Sequence, residues 1–156
     1  MTPRTLSRYL AGAAAFLIFS IALGGAETIP SGILVELSSQ NPLSLRVTLR
    51  SNAITRITFY KYLLPWGNVN SVMLIAATPS GQYIDRFFPT DDPSPDQVVF
   101  EPKQSMSGEV KLGNYFRGLE SALKKSDIHL FWTYKAPDAL RIAQWSGGWV
   151  LIPKQK

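Results

Sequence analysis

Hydrophobic and polar residues alternate most regularly over residues 43–50. Leucine or valine occupies the four odd-numbered positions of this segment, and serine, threonine or arginine occupies the four even-numbered ones. A period of two residues places each set on one face of an extended chain. The segment is therefore predicted to be a half-buried β-strand, followed by a turn at Ser51-Asn52.

Eight further segments are apolar, β-branched or aromatic, and turn signals separate them. These predicted strands cover residues 33–37, 54–60, 71–77, 82–85, 98–100, 108–112, 128–134 and 149–152. Residues 78–81 read Thr-Pro-Ser-Gly, which predicts a hairpin turn between two of them. Many short strands at this spacing predict an all-β sandwich or barrel.

Residues 113–125 follow a different pattern, with Phe116, Leu119 and Leu123 at helical spacing. Asn114 is placed to cap the N-terminus of such a helix. The prediction here is one short helix that crosses between strands.

The N-terminal residues have the layout of a secretory signal peptide. Arg4 and Arg8 precede an uncharged run over residues 10–23, and Gly24 and Ala26 suit positions −3 and −1 of a cleavage site. A membrane span needs about 20 apolar residues, and residues 10–26 number seventeen. We therefore expect residues 1–26 to be removed, with an uncleaved anchor as the alternative. Residues 27–156 then form a single domain that is exported to the periplasm or secreted and is not embedded in the membrane.

Composition narrows the functions that this chain can perform. Cleavage leaves fourteen basic and eleven acidic residues, a net charge of +3, which is ordinary for a soluble domain and predicts no nucleic-acid partner. The chain contains no cysteine and one histidine, which excludes thiol catalysis, disulfides, cysteine zinc sites and paired-histidine metal motifs. No cofactor is expected.

A series of turns and strand edges over residues 43–134 supports a more specific fold prediction. The series comprises Ser51-Asn52, Leu-Pro-Trp-Gly at 64–67, Pro-Ser-Gly at 79–81, Pro-Lys-Gln-Ser at 102–105, Val-Lys-Leu at 110–112, Tyr-Phe at 115–116 and a strand ending at Tyr134. It resembles the Ig-like propeptide domain of deuterolysin-type metallopeptidases and, more distantly, the BsuPI-like proteinase inhibitors. The resemblance implies an Ig-like antiparallel β-sandwich and a link to proteases. Where that family pattern has Pro-Gly-Glu-Ser, this chain has Pro-Lys-Gln-Ser.

The tryptophans are the most informative large side chains. Trp132 shares a strand face with Leu130 and Tyr134 and is predicted to lie in the core. Residues 145–149, Trp-Ser-Gly-Gly-Trp, are predicted to frame a turn, with Trp149 packed on the following strand.

The loop at residues 62–70 is the predicted binding surface. Leu63, Leu64 and Trp66 form an apolar cluster, and Pro65 disfavours regular strand pairing there. Such a loop either folds back over the core or is covered by a partner, and these two alternatives remain open.

No catalytic constellation stands out. His129 shares a face with Phe131 and Thr133 and is predicted to be a surface or rim residue without a paired nucleophile. Acidic residues concentrate between Asp85 and Glu101, where a solvated loop is favoured and a Ca²⁺ site is the alternative.

The favoured hypothesis is an exported, non-enzymatic module that binds another protein, such as a protease or an envelope component. The first alternative is a small metal-assisted hydrolase that uses the acidic loop. The second is a periplasmic assembly factor that uses an edge strand, for which Arg46 and Arg50 provide a charged edge.

Overall fold

The computed structural model describes residues 32–41, 43–88, 90 and 92–155. The predicted signal peptide, residues 1–26, lies outside the described residues. The described part contains strands β1 (Gly32–Leu37), β2 (Ser44–Arg50), β3 (Ile57–Tyr60), β4 (Val72–Ala77), β5 (Gln97–Phe100), β6 (Ser105–Lys111), β7 (Ile128–Lys135) and β8 (Trp145–Ile152), and helix α1 (Leu119–Leu123). The segments predicted as strands thus agree closely with the structure, although β3 begins three residues later than predicted and β6 three residues earlier. Further differences are given below.

The strands form two three-stranded antiparallel sheets, β1-β2-β6 and β4-β7-β8, and a β3-β5 ribbon. Their inward side chains make one buried cluster, to which Val47, Val110, Leu74 and Leu130 contribute. The fold is therefore all-β, antiparallel and sandwich-like, as the sequence predicts.

Strand β2 is the middle strand of its sheet, paired with β1 on one side and β6 on the other. The prediction that Arg46 and Arg50 mark a charged edge strand is therefore wrong. Leu45, Val47 and Leu49 are buried as the alternation predicts, and Thr48 on the opposite face is buried too. The Thr48 hydroxyl forms a 2.7 Å hydrogen bond with that of Ser107 on β6.

The predicted hairpin after β4 has its turn but not a full second strand. Gly81 adopts a φ of 85°, which favours glycine, and its N–H donates to the carbonyl oxygen of Thr78 at 2.9 Å. The returning chain makes a single bridge between Tyr83 and Ala77, and residues 82–85 form no longer strand.

The helix is shorter than predicted, and Asn114 does not cap it. Asn114 lies in a 3-10 turn, and α1 begins after Gly118, whose φ of 74° is left-handed. Residues between these elements pair with another segment instead, because the Phe87 N–H donates to the Tyr115 carbonyl and the Arg117 N–H donates to the Asp85 carbonyl. The three apolar residues at helical spacing are nevertheless all buried.

Strand β8 begins at Trp145, so the predicted turn at 145–149 is wrong. Gly147 and Gly148 stand opposite Thr133 and Trp132 of β7. A Cβ at Gly148 would lie 3.2 Å from the Trp132 indole, so the glycine gives this ring room. No helix among the described residues is long and apolar enough to cross a membrane.

Candidate binding surface

The loop predicted to bind is tied to the body of the protein by hydrogen bonds. The Tyr134 hydroxyl, on β7, donates to the carbonyl oxygen of Leu63 at 2.9 Å, and the Ser71 hydroxyl donates to that of Tyr62. Burial raises the pKa of Tyr134, so the phenol remains a neutral donor. Leu64 is fully buried in the core.

Trp66 covers the core-facing side of β6. Gly108 stands opposite Val47, so a side chain at Gly108 would point into the core, and its Cβ would collide with the Trp66 ring. The indole occupies the space that the missing side chain leaves. Trp66 is therefore partly buried against the sandwich.

These contacts match the alternative in which the loop folds back over the core. The structure brings Leu63, Leu64 and Trp66 together as packing residues, and Leu64 presents no surface to a partner. Binding through this loop stays a prediction, and the exposed apolar surface of the protein lies elsewhere.

The outer surface of the sheet β4-β7-β8 carries six large apolar side chains that are exposed to solvent. We call this surface the aromatic face, and it consists of Met73, Ile75, Phe131, Trp145, Trp149 and Leu151. Strand register aligns its members, because Ile75 stands opposite Phe131 and Phe131 stands opposite Trp149. Side chains directly opposite each other on one face of an antiparallel sheet are in contact range.

The members of this face are exposed to an unusual degree. Trp145 is 63% exposed, Trp149 is 62% exposed and Met73 is 55% exposed. Single exposed apolar residues are normal on soluble proteins, whereas large exposed apolar patches are typical of interaction surfaces. Trp149 was predicted to pack within the domain, and that prediction is wrong.

The polar groups on the aromatic face are few, and none of them is a carboxylate. Between the apolar side chains lie His129, Thr133 and Lys135 of β7. The His129 ring lies 5.8 Å from that of Trp149, and the Lys135 ammonium lies 5.9 Å from the Trp145 ring. These two polar side chains thus lie beside tryptophans at opposite ends of the face, and the lysine contact is a cation–π interaction.

His129 is partly buried on this outer face, as its strand parity predicts, and it stands opposite Leu151 and Ala77. In the acidic segment, Asp85, Asp92 and Asp96 are exposed, and Glu101 forms a 2.8 Å ion pair with Arg56. Asp91 lies outside the described residues. Within the part of the chain that is described, no three histidine, aspartate or glutamate side chains converge as metal ligands.

Trp132 lies on the inner face, as predicted, but it is partly rather than fully buried. Its neighbours Leu130 and Tyr134 are fully buried. The cause is position, because Trp132 stands opposite Gly148, where β8 is exposed and extends past the core.

The aromatic face was not predicted from the sequence, although two signals for it were present. Residues 72–77 of β4 are apolar at every position, and β7 places Phe131 opposite to its core side. In a sandwich of two sheets, a strand that is apolar on both faces must expose one of them unless a further layer covers it.

No protein-family model matches this chain, and no curated protein matches it either. The likeness to Ig-like domains linked to proteolysis therefore stays a prediction.

Proposed function

We propose that this chain is an exported, non-enzymatic module that binds another protein through the aromatic face. The observation that carries the proposal is the row Ile75, Phe131 and Trp149, which crosses all three strands of one sheet and is exposed. Interface centres are rich in tryptophan, phenylalanine and methionine and poor in charge, and this face has that composition.

The chemistry of the face favours a polypeptide over a sugar polymer. Sugars that stack on aromatic rings also need several polar side chains to receive their hydroxyl groups. Here three polar side chains, those of His129, Thr133 and Lys135, accompany six large apolar ones, and Met73 and Leu151 offer no hydrogen bond. An apolar protein surface with few charges is the better complement. The resemblance to protease-linked domains makes proteases and other envelope proteins the first partners to test.

The test begins with a photo-crosslinking amino acid placed at position 149 in the full chain, expressed in the source cells. A matched control carries the same group at Ile54, which is 70% exposed and lies outside this sheet. We expect a defined adduct from position 149 and none from position 54.

The identified partner is then purified and titrated with the protein. The double change Phe131→Ser and Trp149→Ser should weaken binding at least tenfold, because central aromatic anchors each contribute about 2 kcal/mol or more. Ile54→Ser should leave binding unchanged. Equal binding by all three proteins would contradict the proposal, and loss of binding on changing Trp66 alone would return the site to the loop.

A further inference from the structure

The two edges of the sheet β4-β7-β8 are treated differently by the fold. Beyond β4, the Ile84 N–H donates to the Ala76 carbonyl oxygen at 2.9 Å, and the Arg86 Nη1 donates to the Leu74 carbonyl oxygen at 3.3 Å. Arg86 is held in place between the rings of Phe88 and Tyr115, at 4.5 and 5.9 Å from their centres. The edge at β4 is therefore capped.

Among the described residues, the edge at β8 carries no charge, no proline and no hydrogen-bonded neighbouring strand. Strand β8 is eight residues long and reads Trp-Ser-Gly-Gly-Trp-Val-Leu-Ile, without a charge or a proline. Natural edge strands are normally short, charged, bulged or covered. Strand β1 lies near β8 but belongs to the other sheet, and no backbone hydrogen bond among the described residues joins the two. Gly148, on the inner face of β8, is exposed.

The register of the β7-β8 pair shows which groups of β8 are unpaired. The Ala136 N–H donates to the Gln144 carbonyl oxygen just before β8, and the strands continue in that register. Hydrogen-bonded pairs alternate along an antiparallel ladder. The even-numbered residues of β8 therefore bond to β7, and the N–H and C=O groups of residues 145, 147, 149 and 151 point away from it.

We propose that β8 is a self-association edge, on which β8 of a second copy of this chain pairs in antiparallel orientation about a two-fold axis at Gly148. In this register, the N–H and C=O groups that point away from β7 in one copy form hydrogen bonds with the same groups of the other copy. It places Trp149 beside Gly147 of the partner subunit, where no side chain competes for space, and Trp145 beside Leu151 of the partner subunit. Because β8 has no charged residue, the symmetry brings no like charges together.

Other registers fit less well. Moving the axis by half a residue, to a point between two residues, pairs outer-face residues with inner-face residues, which the pleat does not allow. Moving it by one whole residue leaves either Trp145 opposite Pro153 or Leu151 opposite Ala143, outside the strand. The pairing at Gly148 yields a continuous six-stranded sheet and leaves both aromatic faces open, so the inference does not depend on the proposed function.

The experiment uses the mature chain, whose lack of cysteine makes it a clean background. Sedimentation of the unmodified protein should show a reversible transition from one chain to two as concentration rises. The double change Trp145→Cys and Leu151→Cys should then give a dimer linked by disulfides under mild oxidation. These two positions are about 20 Å apart within one strand, too far for an internal disulfide.

Ile75→Cys is the matched control, because Ile75 is on the same face at the capped edge and is 45% exposed, against 42% for Leu151. It should remain unlinked under the same oxidation. A protein that stays monomeric at all concentrations would overturn the inference. A dimer that links through position 75 but not through 145 and 151 would also overturn it, and would indicate face-to-face association.

Discussion

The two faces of the sheet β4-β7-β8 are similarly apolar, yet the fold covers one of them. Leu74, Leu130 and Tyr134 on the inner face are fully buried, whereas Ile75 and Phe131, one step away along the same strands, are about half exposed. The difference lies in the layers, because the sheet β1-β2-β6 covers the inner side and no described element covers the outer side. Apolar character therefore identifies a strand here but does not say which face is core.

The largest expected effect comes from truncating neighbours on opposite faces of β7. Leu130→Ala should lower the free energy of unfolding by about 2–5 kcal/mol, because it leaves a cavity in the core. Phe131→Ala should lower it by less than about 1 kcal/mol, because its side chain is half exposed. Urea unfolding of both variants measures the contrast. Similar losses for the two would show that the outer face is covered in solution.

A second prediction concerns the packing of Trp66 on β6. Gly108→Ala should push the indole away and destabilise the domain by about 1–3 kcal/mol, as overpacking does. Gly113→Ala is the control, because a Cβ there meets no atom within 4 Å. Trp66 fluorescence should shift to the red in the first variant, measured as the difference from the same variant carrying Trp66→Phe. An unchanged fluorescence spectrum and an unchanged stability would mean that the Trp66 ring does not pack on β6.

A smaller effect is expected from Tyr134→Phe, which removes the hydrogen bond to Leu63. The free energy of unfolding should fall by about 1–2 kcal/mol, because the Leu63 carbonyl oxygen is left partly buried without its donor. The pKa of Tyr134 is raised by burial, so the unfolded chain ionises this phenol first, at a pH of about 10. Ionisation of Tyr134 therefore leaves the free energy of unfolding independent of pH below that value and lowers it above that value. In thermal melting at alkaline pH, the difference in stability between the wild type and the variant should become smaller. A constant difference in stability from pH 8 to 11 would refute this account.

The smallest expected effect is that of Trp149→Ser on folding. The change should alter the free energy of unfolding by no more than about 0.5 kcal/mol, because the side chain is mostly solvent-exposed. Thermal melting of the isolated protein measures it. A loss above about 2 kcal/mol would restore the expectation that Trp149 packs within the domain.

The fold class was predictable because each strand carries its own local pattern, as the alternation of β2 shows. The candidate site was less predictable, since it depends on which segments become neighbours. Trp66 was a candidate anchor because it lies in a loop, but Gly108, more than forty residues away, gives it a place on the core. Trp149 was assigned to packing because it lies on a strand, but no second layer formed by the described residues reaches it. No pattern local to either tryptophan distinguishes these outcomes.

The cap that Arg86 forms on β4 bears on how far any assembly through this sheet can grow. A sheet with two open edges adds copies without limit, edge to edge, and becomes a fibre. Here the Arg86 guanidinium and the Ile84 N–H occupy two carbonyl groups of the β4 edge, those of Leu74 and Ala76. The proposed pairing through β8 would therefore stop at a closed pair. If β8 pairs as we propose, Arg86 limits the assembly to two copies, and Arg86→Ala is expected to expose the Leu74 carbonyl oxygen to further edge-to-edge pairing.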